Sequence, residues 1–304
     1  MDKYMILIIT ALIMGTGARV LLMKVDYRQY PTYPQAYLSH FTLGMIAAGL
    51  GAVAIPALVE KEYVAITFLT IAAQQFRDVR NMERQSLDNI EPTELVPRGT
   101  AYIEDIAKAF EARNYLATLT ALATGLGVHL GIYFRAPIII AVVVGSAAGI
   151  LVFLKLKGLL KGHVIEEIAE VKAATISFDG PLLKVNDIII MNIGLKQARE
   201  VFLNKGMAVE IIPKDANAVA ILGNIGQRQA IVHNAATQLG IRKDVDEPDF
   251  TPMARRNSEN GNIVMMIVTM EPDIECLIEA VKRTPVLESS KRKPLDSFVG
   301  RKHF

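Results

Sequence analysis

Apolar stretches separated by short basic loops fill the chain from Tyr4 to Leu156, and beyond Val171 the pattern changes to short alternating runs rich in charge. Tyr4 to Met23 holds one charge, Arg19, while Ala36 to Val59, Tyr115 to Phe134 and Ala136 to Leu154 hold none. Each is long enough to cross a hydrocarbon core of roughly 30 Å as a helix, which takes about 20 residues. Tyr63 to Phe76 is shorter and reaches only about 21 Å at helical rise. It reads as a fifth crossing, with a re-entrant or interfacial segment as the alternative. The first part therefore predicts a polytopic α-helical membrane domain of about five spans over residues 1–157, with a loop at 77–114.

Loop charge orders these spans, because Lys and Arg near span ends stay on the cytoplasmic side. With five crossings one side receives Arg19, Lys24, Arg28, Arg77, Arg80, Arg84, Arg98, Lys108, Arg113, Lys155, Lys157 and Lys161. The other receives Lys3, Lys61 and Arg135. This asymmetry places the amino terminus outside and everything after residue 157 in the cytoplasm. Tryptophan is absent, so interfacial anchoring falls to tyrosines at span ends, including Tyr4, Tyr27, Tyr30, Tyr33 and Tyr63. The first apolar stretch has no basic region before it and runs on into Arg19 and Lys24, unlike a cleaved signal peptide.

Small residues such as Gly44, Gly51, Gly127, Gly131 and Gly145 recur within the spans and let helices approach closely. His40 and His129 are the span histidines. Each sits near a segment end, which suits interfacial hydrogen bonding, and the spans hold no Asp or Glu to pair with them.

The 77–114 loop continues helically to Asp88, breaks over Pro92, Pro97 and Gly99, and restarts at Thr100 as a helix running into the next span. Ile103, Ile106 and Phe110 fall on one apolar face of that helix. Residues 158–172 read as a connecting amphipathic helix. The region 173–288 reads as strands Ala173 to Phe178 and Asp187 to Ile193, helix Leu195 to Asn204, strands Ala208 to Ile212 and Ala218 to Leu222, helix Gln227 to Leu239, strand Ile263 to Thr269 and helix Asp273 to Arg283. That order fits a cytoplasmic α+β domain of ferredoxin-like type. Residues 289–304 read as a basic mobile tail able to lie near anionic lipid.

A net charge of +2 is too small to point to nucleic acid. The single cysteine, Cys276, excludes an intramolecular disulfide and a CxxC site, and its helix places it on the apolar, buried side. No metal or cofactor is expected. The turn from Gly223 to Arg228 follows an apolar run and opens a helix, so its amides and Arg228 offer an anion site, against the simpler reading of a plain turn. His233 reads as a satisfied core or surface histidine.

The segment Tyr102-Ile103-Glu104-Asp105-Ile106-Ala107 resembles the motif that names the YIEGIA family of membrane proteins from endospore-forming Firmicutes, differing at Asp105 where the motif has Gly. The resemblance covers nearly the whole chain. It implies expression in sporulation and residence in the cell membrane or a spore membrane, among other spore or forespore membrane proteins. It supplies no catalytic residue. Tyr102, Glu104 and Asp105, with Arg228, become candidate docking or binding residues on a protein that docks or regulates others, with a homo-oligomer left open. A second reading rests on Ile176-Ser177-Phe178-Asp179-Gly180 and the later Ile221-Leu222-Gly223, which loosely resemble the Asp-Thr/Ser-Gly and apolar-apolar-Gly elements of retroviral-type aspartyl proteases. Such enzymes share a proton between two carboxylates. It makes Asp179 a candidate catalytic residue of a membrane-anchored protease or protease component, although the Thr/Ser is missing and Pro181 follows.

Overall fold

The computed structural model describes residues 2–26, 34–244, 247–248, 250–292 and 294–297, and the chain divides into two compact units. One is built from Met1–Gln85 and Ile106–Lys161, the other from Ser86–Asp105 and Gly162–Phe304. Tyr27, Tyr30, Tyr33 and the tail from residue 298 lie outside the described residues.

The first unit is helical: α1 (Asp2–Asp26), α2 (Pro34–Val59), α3 (Tyr63–Ile90), α4 (Thr100–Tyr133) and α5 (Ile138–Leu159). Four of these, α1, α2, α4 and α5, contain stretches long and apolar enough to cross a membrane. The expected fifth, Tyr63 to Phe76, is the first half of α3. Its apolar run ends at Phe76 and the helix continues through Arg77, Asp78 and Arg80, so α3 falls short of that measure. On α5 the buried residues Ala141, Gly145, Gly149 and Phe153 recur every fourth position, while Ile139, Val143, Val144 and Leu151 are exposed. A helix apolar on both its packed and its exposed faces suits a lipid surround.

The bundle has two chemically distinct ends. At one, the Tyr4 hydroxyl donates to Glu60 and the Tyr4 ring lies 6.5 Å from His129, so the start of α1, the end of α2 and the end of α4 meet. At the other, Arg19 Nε donates to Asn114 Oδ1 at 3.2 Å and His40 packs on Phe110 at 4.7 Å. There too His40 lies 3.8 Å from Glu83, and Arg80 pairs with Glu111 at 3.3 Å. Helix α3 carries the chain from the first end to the second, with Phe76 buried between Ala47 and Ala117.

Small residues set the spacing. Arg19 is fully buried, its guanidinium 5.3 Å from the Phe110 ring centre. Gly44 makes room for it, since a Cβ there would sit 2.3 Å from Arg19 Cγ. Between α4 and α5 a Cβ on Gly145 would meet Val128 Cγ2 at 2.4 Å, the Thr124 carbonyl at 2.7 Å and the Val128 amide nitrogen at 2.8 Å.

The second unit continues with α6 (Ile165–Ile168), β1 (Ala169–Ala174), β2 (Ile176–Asp179), β3 (Leu182–Val185), β4 (Ile188–Asn192), α7 (Lys196–Lys205), β5 (Gly206–Pro213), α8 (Ala216–Leu222) and α9 (Ile225–Leu239). It closes with β6 (Lys243–Asp244), β7 (Glu247–Pro248), β8 (Met253–Arg256), β9 (Ile263–Val268) and α10 (Ile274–Lys282). A four-stranded sheet runs β1-β5-β9-β8 with every pairing antiparallel. Every residue of β9 is buried. Ile263, Met265 and Ile267 face Ile231, Val232, Ala235, Leu277 and Val281 of α9 and α10, while Val264, Met266 and Val268 face Leu183, Ile190 and Phe202 of the β2-β3-β4 meander and α7. The sheet is therefore the middle layer of three.

Several expectations change. The expected strand Ala173 to Phe178 divides between β1 and β2, and in the four-stranded sheet β9 lies between β5 and β8, which run parallel to each other and are joined through α8 and α9 as a split βαβ unit. Ala218 to Leu222 is helix rather than strand, because Asp215 Oδ1 accepts from the Ala218 amide at 2.7 Å and caps a short apolar run whose period is ambiguous in sequence. The connecting helix over 158–172 reduces to the single turn α6, and Ala169–Ala174 pairs with β5. Cys276 is exposed, since Leu277, Ala280 and Val281 carry the buried face of α10. The tail begins packed rather than free: Ser290 is buried and its hydroxyl lies 2.9 Å from Gln227 Oε1.

Overpacking a tight backbone seam costs about 1–3 kcal/mol, so Gly145→Ala lowers the thermal stability of the full chain in detergent. Gly17→Ala, where a Cβ meets nothing within 4 Å, leaves it unchanged or slightly raised. Melting curves of the two variants beside wild type check this.

Candidate functional site

The feature most clearly shaped by specific side chains is the seat of the hexapeptide in the α+β unit. Residues 86–105 belong to that unit although they leave α3 and open α4. Pro92 sits in a 3₁₀ turn over Glu91–Thr93, and the chain then runs extended through Glu94. Val96 is buried in the core beneath the four-stranded sheet. Gly99 adopts φ +83°, which costs glycine little, and its amide donates to Glu91 Oε1 at 2.5 Å.

This break leaves backbone carbonyls without helical donors, and α9 supplies replacements. His233 Nδ1 lies 2.6 Å from the Val96 carbonyl, and Gln229 Nε2 donates to the Pro97 carbonyl at 2.5 Å. A carbonyl only accepts, so Nδ1 carries the proton and Nε2 faces the Thr237 hydroxyl at 3.3 Å. Gly226 lets α4 approach α9: a Cβ there would sit 2.5 Å from Ala101 Cβ. Tyr102 is buried edge-on to His233, with 6.1 Å between ring centres, and Ile103 is fully buried. Asp105 Oδ1 accepts from the Glu288 amide at 2.9 Å. The residue that departs from the family motif thus grips the C-terminal segment.

Gln227, one turn before Ile231 on the buried stripe of α9, completes the clasp. Its Nε2 donates to the Pro285 carbonyl at 3.0 Å, and its Oε1 accepts from the Leu287 amide at 2.8 Å and the Ser290 hydroxyl at 2.9 Å. Neither Gln227 nor Glu288 was singled out from sequence. The available signal was a glutamine in phase with Ile231 and Ala235, a polar residue on an apolar stripe.

The candidates divide. Tyr102 and Asp105 meet α9 and the C-terminal segment, Glu104 is part-buried beside them, and Arg228 stands on α9 itself. Asp179 is elsewhere, ending β2 before Gly180, whose φ is +59°. Its carboxylate is exposed and accepts from Lys184 Nζ at 2.7 Å, a bond and charge that hold it below the usual carboxylate range. Ile221 and Leu222 pack in the core on the helical side of the sheet, whereas Phe178 packs on the meander side. The two protease-like elements therefore lie against opposite faces.

Burial holds the His233 pKa below its ordinary value, against the pull of the Val96 carbonyl. A depressed folded-state pKa means the unfolded chain takes up the proton first. Its contribution to stability is present above the unfolded value near 6.5 and is lost as pH falls below it, by at most about 1.4 kcal/mol per pH unit. Between pH 7.5 and 5.5 wild type accordingly loses more stability than His233→Gln, as melting curves at the two pH values measure.

The family model described as "YIEGIA protein" matches residues 7–297. The chain is 40% identical over 296 residues to "Uncharacterized protein YphB" of Bacillus subtilis (strain 168), an alignment covering 97% of each chain. No solved structure matches. A match from the first helix to the C-terminal segment, with the hexapeptide seated where both ends of the α+β unit meet, identifies the chain as a member of the YIEGIA family.

Proposed function

We propose that this protein is a sporulation-associated integral membrane protein whose cytoplasmic α+β domain docks or regulates other membrane proteins of the cell or spore. The observation that carries the reading is the clasp. The hexapeptide opens a helix that continues as an apolar stretch, and its first residues are bound into the α+β unit by Tyr102, Asp105, His233 and Gln227. Family residues used this way bind the chain to itself and need no reacting group. The setting of Asp179 favours docking over proteolysis, because its carboxylate is exposed and bonded to Lys184 while the Ile221-Leu222 element lies against the opposite face of the sheet.

We further propose five crossings with the amino terminus outside. The two ends of the bundle support it. A chain whose second helix finishes at the Tyr4 end and whose fourth starts at the Arg19 end must return between them, and α3 makes that passage. The basic loops then collect at the Arg19 end, as retention of cytoplasmic Lys and Arg requires.

The one cysteine provides the topology test. With Cys276 exposed on the α+β unit, a membrane-impermeant maleimide labels it only after permeabilisation, and Cys276→Ser with Lys61→Cys is labelled in intact cells. Labelling of Cys276 in intact cells would reverse the orientation. The Asp273 carboxylate beside the thiol raises its pKa, so the reaction is run above neutral pH.

The function test compares abundances of spore-membrane proteins in sporulating cells carrying wild type, a deletion, Glu104→Ala or Asp179→Asn at matched expression. A docking role predicts that Glu104→Ala reproduces the deletion profile and Asp179→Asn reproduces wild type. Turnover lost with Asp179→Asn alone would assign the domain to proteolysis.

A further inference from the structure

Helix α3 has an outward side unlike that of its neighbours. On α1 and α5 the exposed residues are apolar, as with Ile9, Ile13, Ile139 and Val143. On α3, Phe76 is buried in the bundle, and the residues turned away from it are Val64, Thr67, Ile71, Gln74 and Asp78, every one exposed. Their steps of three, four, three and four residues draw a single line along the helix, the spacing at which two helices interlock as a left-handed pair.

A bilayer makes this line costly to leave bare. A crossing of roughly 30 Å takes about 20 residues, whereas Tyr63 to Phe76 supplies only about 21 Å. A crossing begun at Tyr63 therefore extends past Gln74 and Asp78. A span too short for its bilayer is accommodated by thinning, by the reach of flanking side chains or by association with other helices. The Thr67 hydroxyl is satisfied within its own helix, donating to the Tyr63 carbonyl at 2.9 Å. The Gln74 carboxamide, with two donors and an acceptor, makes no hydrogen bond among the described residues. Lipid chains offer it no partner.

The chemistry of the line points to what covers it. Copies of one chain insert with the same orientation, so two α3 helices meeting on these faces run parallel about a two-fold axis along the membrane normal. Each residue then meets its own equivalent. A carboxamide both donates and accepts, so two Gln74 side chains satisfy one another, and Val64 and Ile71 pack on themselves. In parallel pairing a seam residue also lies beside the residue that precedes its equivalent, which sets Asp78 of each copy against Arg77 of the other. An unrelated helix would have to supply these complements at matching positions, whereas a second copy carries them by symmetry.

We propose that the outward line of α3 from Val64 to Asp78 is the interface of a homodimer within the membrane, its occupant a second copy of this chain. The inference rests on the five-crossing reading above and gives a partner to the surface which that reading leaves at membrane depth.

The test is disulfide trapping of the full chain in cell membranes, in a Cys276→Ser background that removes the one native cysteine. Ile71→Cys and Gln74→Cys, both on the line, each give a product of twice the chain mass on mild oxidation. Val143→Cys, exposed on α5, gives none. Adding Gln74→Ala to Ile71→Cys slows trapping by about threefold, as loss of an interhelical polar contact requires. Trapping that Gln74→Ala leaves unchanged, that Val143→Cys matches, or whose product has any other mass overturns the proposal. Maleimide labelling of Lys61→Cys in intact cells separates the two readings. Labelled Lys61→Cys without trapping at Ile71→Cys leaves five crossings in place and removes the dimer, whereas unlabelled Lys61→Cys removes the crossing and the dimer with it.

Discussion

A backbone carbonyl that leaves a helix must find another donor, and at Val96 and Pro97 the donors are side chains of α9. Pro97 cannot continue a helix and Gly99 turns into a region that other residues avoid, so the segment between α3 and α4 has no regular partner of its own. Burial of Val96 removes water as an alternative. His233 and Gln229 therefore complete the path by which this segment joins the α+β core, and Tyr102, Ile103 and Asp105 follow into place because the helix restarts at once. A buried unsatisfied carbonyl costs about 1–3 kcal/mol, a large share of what holds a small domain folded.

Sequence made the helical half plain, because long uncharged stretches admit one interpretation in lipid, where backbone groups must bond internally. The packing inside it was less accessible. Arg19 stands out as a lone charge, but that Gly44 accommodates it and that Asn114 and Phe110 receive it depends on which helices are neighbours. The α+β half was read correctly in class and in several elements, including the helix of α9 and the central strand β9. It went astray where local pattern was weakest. Ala218 to Leu222 is too short for its period to choose between helix and strand, and the cap at Asp215 decided it. Cys276 was misplaced by one position around a helix, enough to turn it from the core to solvent. The strand order was beyond local reading, since it is fixed by which apolar faces match across the sheet.

The hexapeptide shows a similar division. Its residues were recognised as a motif, but recognition does not say what they touch. Tyr102 and Asp105 look available on a helical wheel, yet both are engaged within the fold, one against an imidazole and the other on a backbone amide near the chain's end. The glutamine that binds three groups of that C-terminal segment lies in a helix otherwise lined by alanine and isoleucine, where its significance is geometric rather than compositional.

The separation along the chain between Val96 and His233 is 137 residues. During synthesis the segment carrying Val96 and Tyr102 therefore emerges well before the helix that receives it. The central strand β9 is made later still, and only then can both faces of the sheet close. Contacts of such sequence separation form slowly, since their loop entropy is lost before any reward. Until then Tyr102 and Ile103 are exposed on a nascent chain whose earlier helices are already complete. The seat that binds Val96 and Tyr102 to α9 in the finished protein is thus open during biogenesis, to chaperones and proteases alike, until the last third of the chain arrives.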